Sequence, residues 1–374
     1  MSIREIVKNK KYKIELFIGR NGSKKIMHYE IVEGGKKEAE LRESELKIQL
    51  KNHTFIKNNS ITMRELMNEY KKYNDNRWSP RTLEANEYRI KNIIDKLGHI
   101  KIQDINVKIL EDFYKYLKNK KTYSSQSIIH HYNLINGALN KAIHWGYITT
   151  NENEKIEKPK VRKKEIECYS PEEVKELLKV LKNESLKYQA VIILALDSGI
   201  RRGELTGLTW EDIDLKEGII SVNKTTQYTK EKGIFEKETK TDTSDRKIYI
   251  SDTTINLLKK FKIEQLEKKL HLGEKWGNSK RVFTTDYGYD MHPDTPTKIL
   301  KKIIKKYNLK KITFHALRHT SISLMIFKGI QVQVISKKAG HSSVQVTHNT
   351  YSHFFDNEFK KCAYEMDNIL KEAK

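Results

Sequence analysis

Between residues 60 and 150 apolar side chains recur at helical spacing in successive stretches, each opened or closed by a recognisable signal. A half-buried strand would need strict alternation instead, so this span is predicted to be a helical bundle. Thr62-x-x-Glu65 has the spacing of a capping box, in which side chain and backbone satisfy each other at a helix start. Ser79-Pro80 places a cap before a proline at the first helical position. The helix it opens carries Leu83, Ile90, Ile93, Ile94 and Leu97, and Gly98 can stop it. A third stripe is Val107, Leu110, Phe113, Tyr114 and Leu117. A fourth starts near Ser124 or Ser125, runs through Ile128, Ile129, Tyr132, Ile135, Leu139 and Ile143, and ends at Gly146. The aromatic residues in these stripes read as core packing.

The flanking regions differ in character. Residues 5–50 read as short strands, Tyr12 to Ile18 and Ile26 to Ile31, joined by a hairpin signal at Arg20-Asn-Gly-Ser23 and followed by a helix over Lys36 to Leu50. Residues 151–165 are polar, charged and aperiodic, which marks a linker. Its run from Lys158 to Lys164 is more basic than a solvated spacer needs, and reads as a segment lying along phosphates or as an idle linker. Ser170-Pro171-Glu172-Glu173 then opens a mostly helical region, interrupted by β-prone segments at Ile219–Val222, Arg246–Ile250 and Arg281–Thr284.

Composition narrows the function classes. The 374 residues carry 72 Lys+Arg against 49 Asp+Glu, a formal net charge of +23. The excess is +6 over residues 1–60, +9 over 61–164 and +8 over 165–374. A charged tail would concentrate it, whereas a spread excess implies that every region touches a polyanion. Codon bias in an AT-rich genome explains Lys over Arg but not basic over acidic. No apolar run approaches the ~18–20 residues that span a bilayer, and the longest is Ala190 to Leu196. The N-terminus has no apolar stretch of the signal-peptide kind. Only Cys168 and Cys362 are present, too few for a disulfide scaffold or a multi-cysteine metal framework, which fits a reducing, cytoplasmic setting.

Four separated clusters could carry chemistry. In Ser198-Gly-Ile-Arg201-Arg202-Gly-Glu204-Leu205 an apolar helix gives way at once to arginines, and the spacing of Arg201 and Glu204 suits a same-face pair. It is either an ordinary ion pair or an arginine held at a pocket edge. In Phe314-His315-Ala-Leu-Arg318-His319, His315 and His319 have the spacing of a zinc-binding helix, but Ala316 stands where the general-base Glu would be and no carboxylate lies nearby. His315 with Arg318 suits an oxyanion better, with planar guanidinium donors beside a group that moves protons near neutral pH. Gly340-His341 is followed ten residues later by Tyr351, a packing residue alone but a nucleophile candidate beside arginines and histidines. Lys240 sits in Glu238-Thr-Lys-Thr-Asp-Thr-Ser-Asp-Arg246 between β-prone segments, where it could protonate a leaving oxygen.

These four boxes, in this order, resemble the tyrosine recombinases of the integrase type found in phages and conjugative transposons. The resemblance is sharp over about residues 165–355, looser over 60–155 and weakest over 1–55. It implies a mainly α fold with small β elements (α+β), arranged as a C-shaped clamp on DNA. The expected domains are an arm-type DNA-binding module at 1–57, a helical core-site-binding domain at 58–152, a basic linker at 153–168 and a catalytic domain at 169–374. The catalytic domain would end in an oligomerisation helix over Glu358 to Leu370.

The resemblance also implies the site roles. Arg201 and Arg318 would clamp the scissile phosphate, His315 would act as general base and His341 would support the transition state. Lys240 would protonate the leaving 5′-oxygen, Tyr351 would attack phosphorus and Glu204 would brace the site. The reaction would need no metal, cofactor or ATP, because the phosphotyrosyl bond retains the energy of the broken DNA bond. The implied partners are double-stranded attachment-site DNA, three further copies of the chain in a tetramer and an accessory excision or bending factor, with no membrane. A type IB topoisomerase-like nicking-closing enzyme and a non-enzymatic DNA-binding regulator are the alternatives.

Overall fold

The computed structural model describes residues 2–8, 10–21, 24–51, 61–120, 122–160, 167–238 and 245–352, with short pieces at 363–364, 366–367 and 370–371. Its contacts divide the chain into two compact units, Met1–Lys163 and Lys164–Lys374. Lys240, residues 161–164 of the basic run, the hairpin turn at Gly22-Ser23 and most of the expected C-terminal helix lie outside the described residues.

The first unit opens with an antiparallel meander of β1 (Ser2–Val7), β2 (Lys11–Asn21) and β3 (Lys24–Glu33), in the order β1-β2-β3. Alternation along β2 buries Tyr12, Ile14 and Leu16, and Ala39 and Leu46 of helix α1 (Lys36–Lys51) are buried with them. On the opposite face Phe17, Tyr29 and Ile31 stay exposed, with the Lys13 ammonium over the Tyr29 ring.

The helical bundle follows as α2 (Met63–Asn74), α3 (Pro80–Leu97), α4 (Val107–Asn119) and α5 (Ser125–His144). The start signals work locally. Thr62 and Glu65 form a reciprocal capping box, and the side chains of Ser79, Asn106 and Ser124 each accept a backbone N–H at the start of their helices. The stripes meet in one core that includes Leu66, Ile93, Leu110, Leu117 and Ile135, where each buried aliphatic side chain contributes about 1.5–3 kcal/mol.

Residues Glu152–Lys155, which read as linker, form a 3-10 turn instead, and Asn153 in it is fully buried. The Tyr114 hydroxyl donates to its side-chain oxygen and the Tyr132 hydroxyl to its carbonyl. A polar residue thus serves as an anchor, and no hydrophobic periodicity reports it.

The second unit begins with α6 (Pro171–Leu181), whose Ser170 and Glu173 form the expected capping box. Helix α7 (Leu186–Ser198) buries Ala190, Val191, Ile192, Leu194 and Ala195, as a helix at the centre of a core does. Helix α8 (Arg202–Gly207) follows after a three-residue break.

Strands β4 (Ile213–Asp214), β5 (Ile219–Val222), β6 (Lys224–Thr229), β7 (Gly233–Glu238) and β8 (Arg246–Tyr249) make two sheets, β4-β5-β8 and β6-β7. Strands β6 and β7 form an antiparallel hairpin that pairs Lys224 with Glu238 and Thr229 with Gly233. Arg281–Thr284 was expected to be a strand but makes only isolated bridges, from Arg281 to Thr209 and from Thr284 to Asp290. Its backbone is satisfied elsewhere: the Val282 amide donates to Leu208 and its carbonyl accepts from Gln265. Helices α9 (Asp252–Leu272), α10 (Thr295–Tyr307), α11 (Phe314–Phe327), α12 (Val332–Ala339) and α13 (Val344–Tyr351) complete the unit. Among the described residues no helix is long and apolar enough to cross a membrane.

Candidate active site

Two helices of the second unit end in the same way, and both ends face the site. Helix α7 stops at Gly199 with φ 64° and α12 stops at Gly340 with φ 65°, a left-handed cap that glycine adopts without strain. Gly340 is doubly constrained, because a Cβ there would lie 3.0 Å from the Arg246 side chain. The chain leaves these caps directly into Arg201 and His341.

Three arginines converge on the C-terminal end of α12. Arg246 Nε donates to the Lys338 carbonyl at 3.0 Å, Arg318 Nη2 to Ala339 at 2.6 Å and Arg201 Nη2 to Gly340 at 2.8 Å. The last carbonyls of a helix have no intrahelical donors and carry its partial negative charge, so guanidiniums are well placed there. Arg318 also donates to the Gly199 carbonyl at 2.8 Å and thereby ties the two glycine-capped ends together.

The Glu204 carboxylate sits between Arg201 and Arg246, at 2.8 Å from each. Its burial alone would raise its pKa, but Arg246 and Arg201 hold it below the usual carboxylate range. One carboxylate against three guanidiniums leaves a positive excess. Burial and the neighbouring Arg201 push Arg318 down to about 10. A site that holds buried cations at this cost is built for an anion. Arg201 keeps 40% of its side chain exposed while Arg318 is buried, so Arg201 is the more open to solvent.

Three histidines of the site are pushed toward their neutral form. Burial, followed by the charge of Arg318, lowers His341 to about 4; burial and His315 lower His319 to about 4. His315 is lowered as well, by burial and by Arg318. His341 Nδ1 lies 2.7 Å from the buried Thr347 hydroxyl, which fixes the ring on α13. Tyr351 closes α13 and is only 1% exposed, packed with Ile322, Ile326, Ile335 and Ala339. Burial pushes its phenol pKa well above the usual tyrosine range. The hydroxyl meets His319, with Oη 2.5 Å from Nδ1.

The structure therefore gathers Arg201, Glu204, Arg318, His341 and Tyr351 into one site. Arg202 points elsewhere, to Thr297 and Asp294. His315 lies on the same face of α11, with its ring edge-on to His319 at 4.7 Å between centroids. A model of the phage integrase family matches residues 168–358, and a model of the phage integrase SAM-like domain matches residues 55–157.

The chain belongs to the phage integrase family.

Within this family the chain is 31% identical, over 97% of its length and 98% of the relative's, to a XerC-like tyrosine recombinase of Caldanaerobacter subterraneus. It is 27% identical to the integrase of Staphylococcus phage L54a, over 88% of this chain and 99% of that one. Its fold matches the Tn1549 transposon integrase, solved with transposon right end DNA, with a TM-score of 0.69 at 20% identity over 81% of this chain and 99% of that one. Membership makes the chain a tyrosine-type site-specific recombinase.

Two residues of the site carried no role in the sequence reading. Arg246 stood in the lysine box, and its one signal was the alternation that sends Arg246 and Ile248 to the same face of β8. His319 stands beside Arg318, and in the sequence its spacing from His315 suggests only a zinc ligand. Among the described residues no cluster of three or more His, Cys, Asp or Glu side chains is arranged to hold a metal ion.

Proposed function

We propose that this recombinase integrates and excises a mobile element by cutting each DNA strand through Tyr351, which leaves a 3′-phosphotyrosyl link and a free 5′-hydroxyl. Arg201 and Arg318 clamp the non-bridging oxygens of the scissile phosphate, and His341 donates to the same group. Glu204 braces Arg201. Lys240 protonates the departing 5′-oxygen. His315 serves the attack from the same helix face, and it stands next to the phenol's own partner, His319. The observation that carries this reading is the convergence of three guanidiniums on the end of α12, with Tyr351 one short helix further on. Such fixed cations stabilise the charge that builds on a pentacoordinate phosphorus. Each strand exchange is then a pair of balanced transesterifications.

The remaining assignments are part of the same proposal. Residues 1–57 bind arm-type sites, which is supported by the exposed sheet face of Lys13, Phe17, Tyr29 and Ile31. Residues 58–152 bind the core site, 153–168 track the backbone between the domains, and 169–374 cut and rejoin. Four copies assemble on double-stranded attachment-site DNA in the bacterial cytoplasm, with an accessory excision or bending factor, and the C-terminal residues link neighbours.

The deciding experiment traps covalent protein on a nicked suicide DNA substrate. Tyr351→Phe is expected to bind that DNA as the parent does and to form no adduct. An adduct formed by the Phe variant would sink the assignment. DNA affinity should also fall steeply as salt rises, because each neutralised phosphate releases counterions.

A further inference from the structure

We infer that His319 is a catalytic residue that takes the proton of Tyr351 during attack, the place that the resemblance gave to His315. The inference rests on the reading of Tyr351 as the nucleophile.

The geometry is direct. Tyr351 Oη and His319 Nδ1 are 2.5 Å apart, within the reach that proton transfer needs, and the two rings are tilted with centroids 5.6 Å apart. The phenol can donate here only if His319 carries its own proton on Nε2, so the contact selects that tautomer. The groups that face this pair come from several elements. His315 and Arg318 lie on α11 with His319, His341 lies in the turn after α12, and Cys168 lies near the phenol from the segment before α6. Among these described residues no carboxylate stands to hold His319 protonated, and Arg318 opposes its protonation. The ring thus enters the reaction as a base.

The step balances without any further reactant than the DNA. As Oη attacks, the Oη–P bond forms and the P–O5′ bond breaks. The Oη proton passes to Nδ1, and the 5′-oxygen takes a proton from the site's cationic donor, assigned above to Lys240. A free phenol would not yield its proton to a buried imidazole. The transfer becomes favourable only as Oη becomes an ester oxygen, so the proton moves with bond formation and not before it. The imidazolium so formed lies against the His315 ring, which stands edge-on at 4.7 Å. In rejoining, the steps reverse and His319 returns the proton to the departing tyrosine. Ile322, Ile326 and Ile335 pack with the phenol, which leaves the imidazole as the acceptor at hand while it is in place.

The test uses the full chain, the suicide DNA substrate and three variants. His319→Asn keeps a hydrogen-bonding atom near the Nδ1 position but no basicity. His319→Ala removes both, and Tyr351→Phe is the control. Both His319 variants are expected to bind DNA like the parent and to form adduct at least ~100-fold more slowly. The parent's rate should be flat from about pH 6.5 to about pH 9, because its base is already neutral. The His319→Ala rate should rise about tenfold per pH unit, since solvent must then remove the proton. Added imidazole should restore part of it.

Adduct formation by His319→Asn within about threefold of the parent would overturn the inference, because positioning alone would then suffice. So would a parent rate that itself climbs about tenfold per unit between about pH 7 and 9, an outcome readable even if both His319 variants fail to fold. Active His319→Asn with inert Tyr351→Phe would remove only the role of His319. An adduct from Tyr351→Phe would remove the nucleophile assignment beneath it.

Discussion

Two buried tyrosines, one in each unit, show how the same side chain is set to different uses. Tyr114 in the helical bundle donates to the Asn153 amide oxygen at 2.5 Å, and burial pushes its pKa far above the ordinary value. Tyr351 in the second unit is also buried, and lifted for the same first reason. Their partners differ. An amide oxygen accepts a hydrogen bond but cannot keep a proton, whereas an imidazole nitrogen can.

The surroundings differ in the same sense. Around Tyr114 the polar groups close on one another: Tyr132 donates to the Asn153 carbonyl, Asn151 to the side chains of Asn136 and Asn140, and Asn140 to the Glu154 carboxylate. Tyr351 lies near Arg318, which belongs to a cluster of three arginines and one carboxylate. A network whose groups satisfy one another holds a turn in place. A network left with surplus positive charge can still take an anion.

The largest expected effect separates the tyrosines by activity. Tyr351→Phe should abolish adduct formation, a loss of at least ~10³-fold, while Tyr114→Phe should leave cleavage at its parent rate once the protein is folded. Loss of cleavage in a folded Tyr114→Phe protein would break the comparison.

Glu204→Ala should follow. It strands Arg246, which is 5% exposed, beside Arg201 and Arg318, and a broken buried pair of this kind costs about 3–5 kcal/mol, readable as denaturant midpoint or Tm of the second unit. Gly340→Ala should cost about 1–2 kcal/mol for its left-handed backbone, with more if Arg246 must move away from the new methyl. Tyr114→Phe leaves Asn153 one donor short and should cost about 1 kcal/mol.

Acid sharpens the contrast without mutation. His319 and His341 are lowered from 6.5 to about 4 in the folded state, so the unfolded chain binds more protons between those values. The stability they contribute is present above about pH 6.5 and is lost as pH falls through about 4, which a pH series of thermal melts on the second unit would read. The bundle meets acid with His131, also lowered by burial, but without the arginine cluster that makes protonation next to the site costlier.

Much of the fold was legible because the signals are local. Ser79-Pro80, Thr62 with Glu65 and Ser170 with Glu173 act within one turn of a helix, and the apolar stripes of α3, α4 and α5 report their buried faces directly. The misses have a common cause. Asn153 looked like linker because its partners, Tyr114 and Tyr132, are 39 and 21 residues away. Arg281–Thr284 looked like strand because its residues favour one, but its backbone groups found Leu208 and Gln265 first.

The site divides along the same line. From its residues alone the chain determined which helices of the bundle form, and that an apolar helix gives way near Gly199 to arginines. Composition pointed to a polyanionic partner. Only the packing of α7, α11 and α12 decided that Arg201, Arg246 and Arg318 share one helix end, over separations of up to 139 residues. Packing also decided that the phenol meets His319 rather than His315, one helical turn away. Helical periodicity puts both histidines on the same face, and choosing between them takes a distance that no local rule contains.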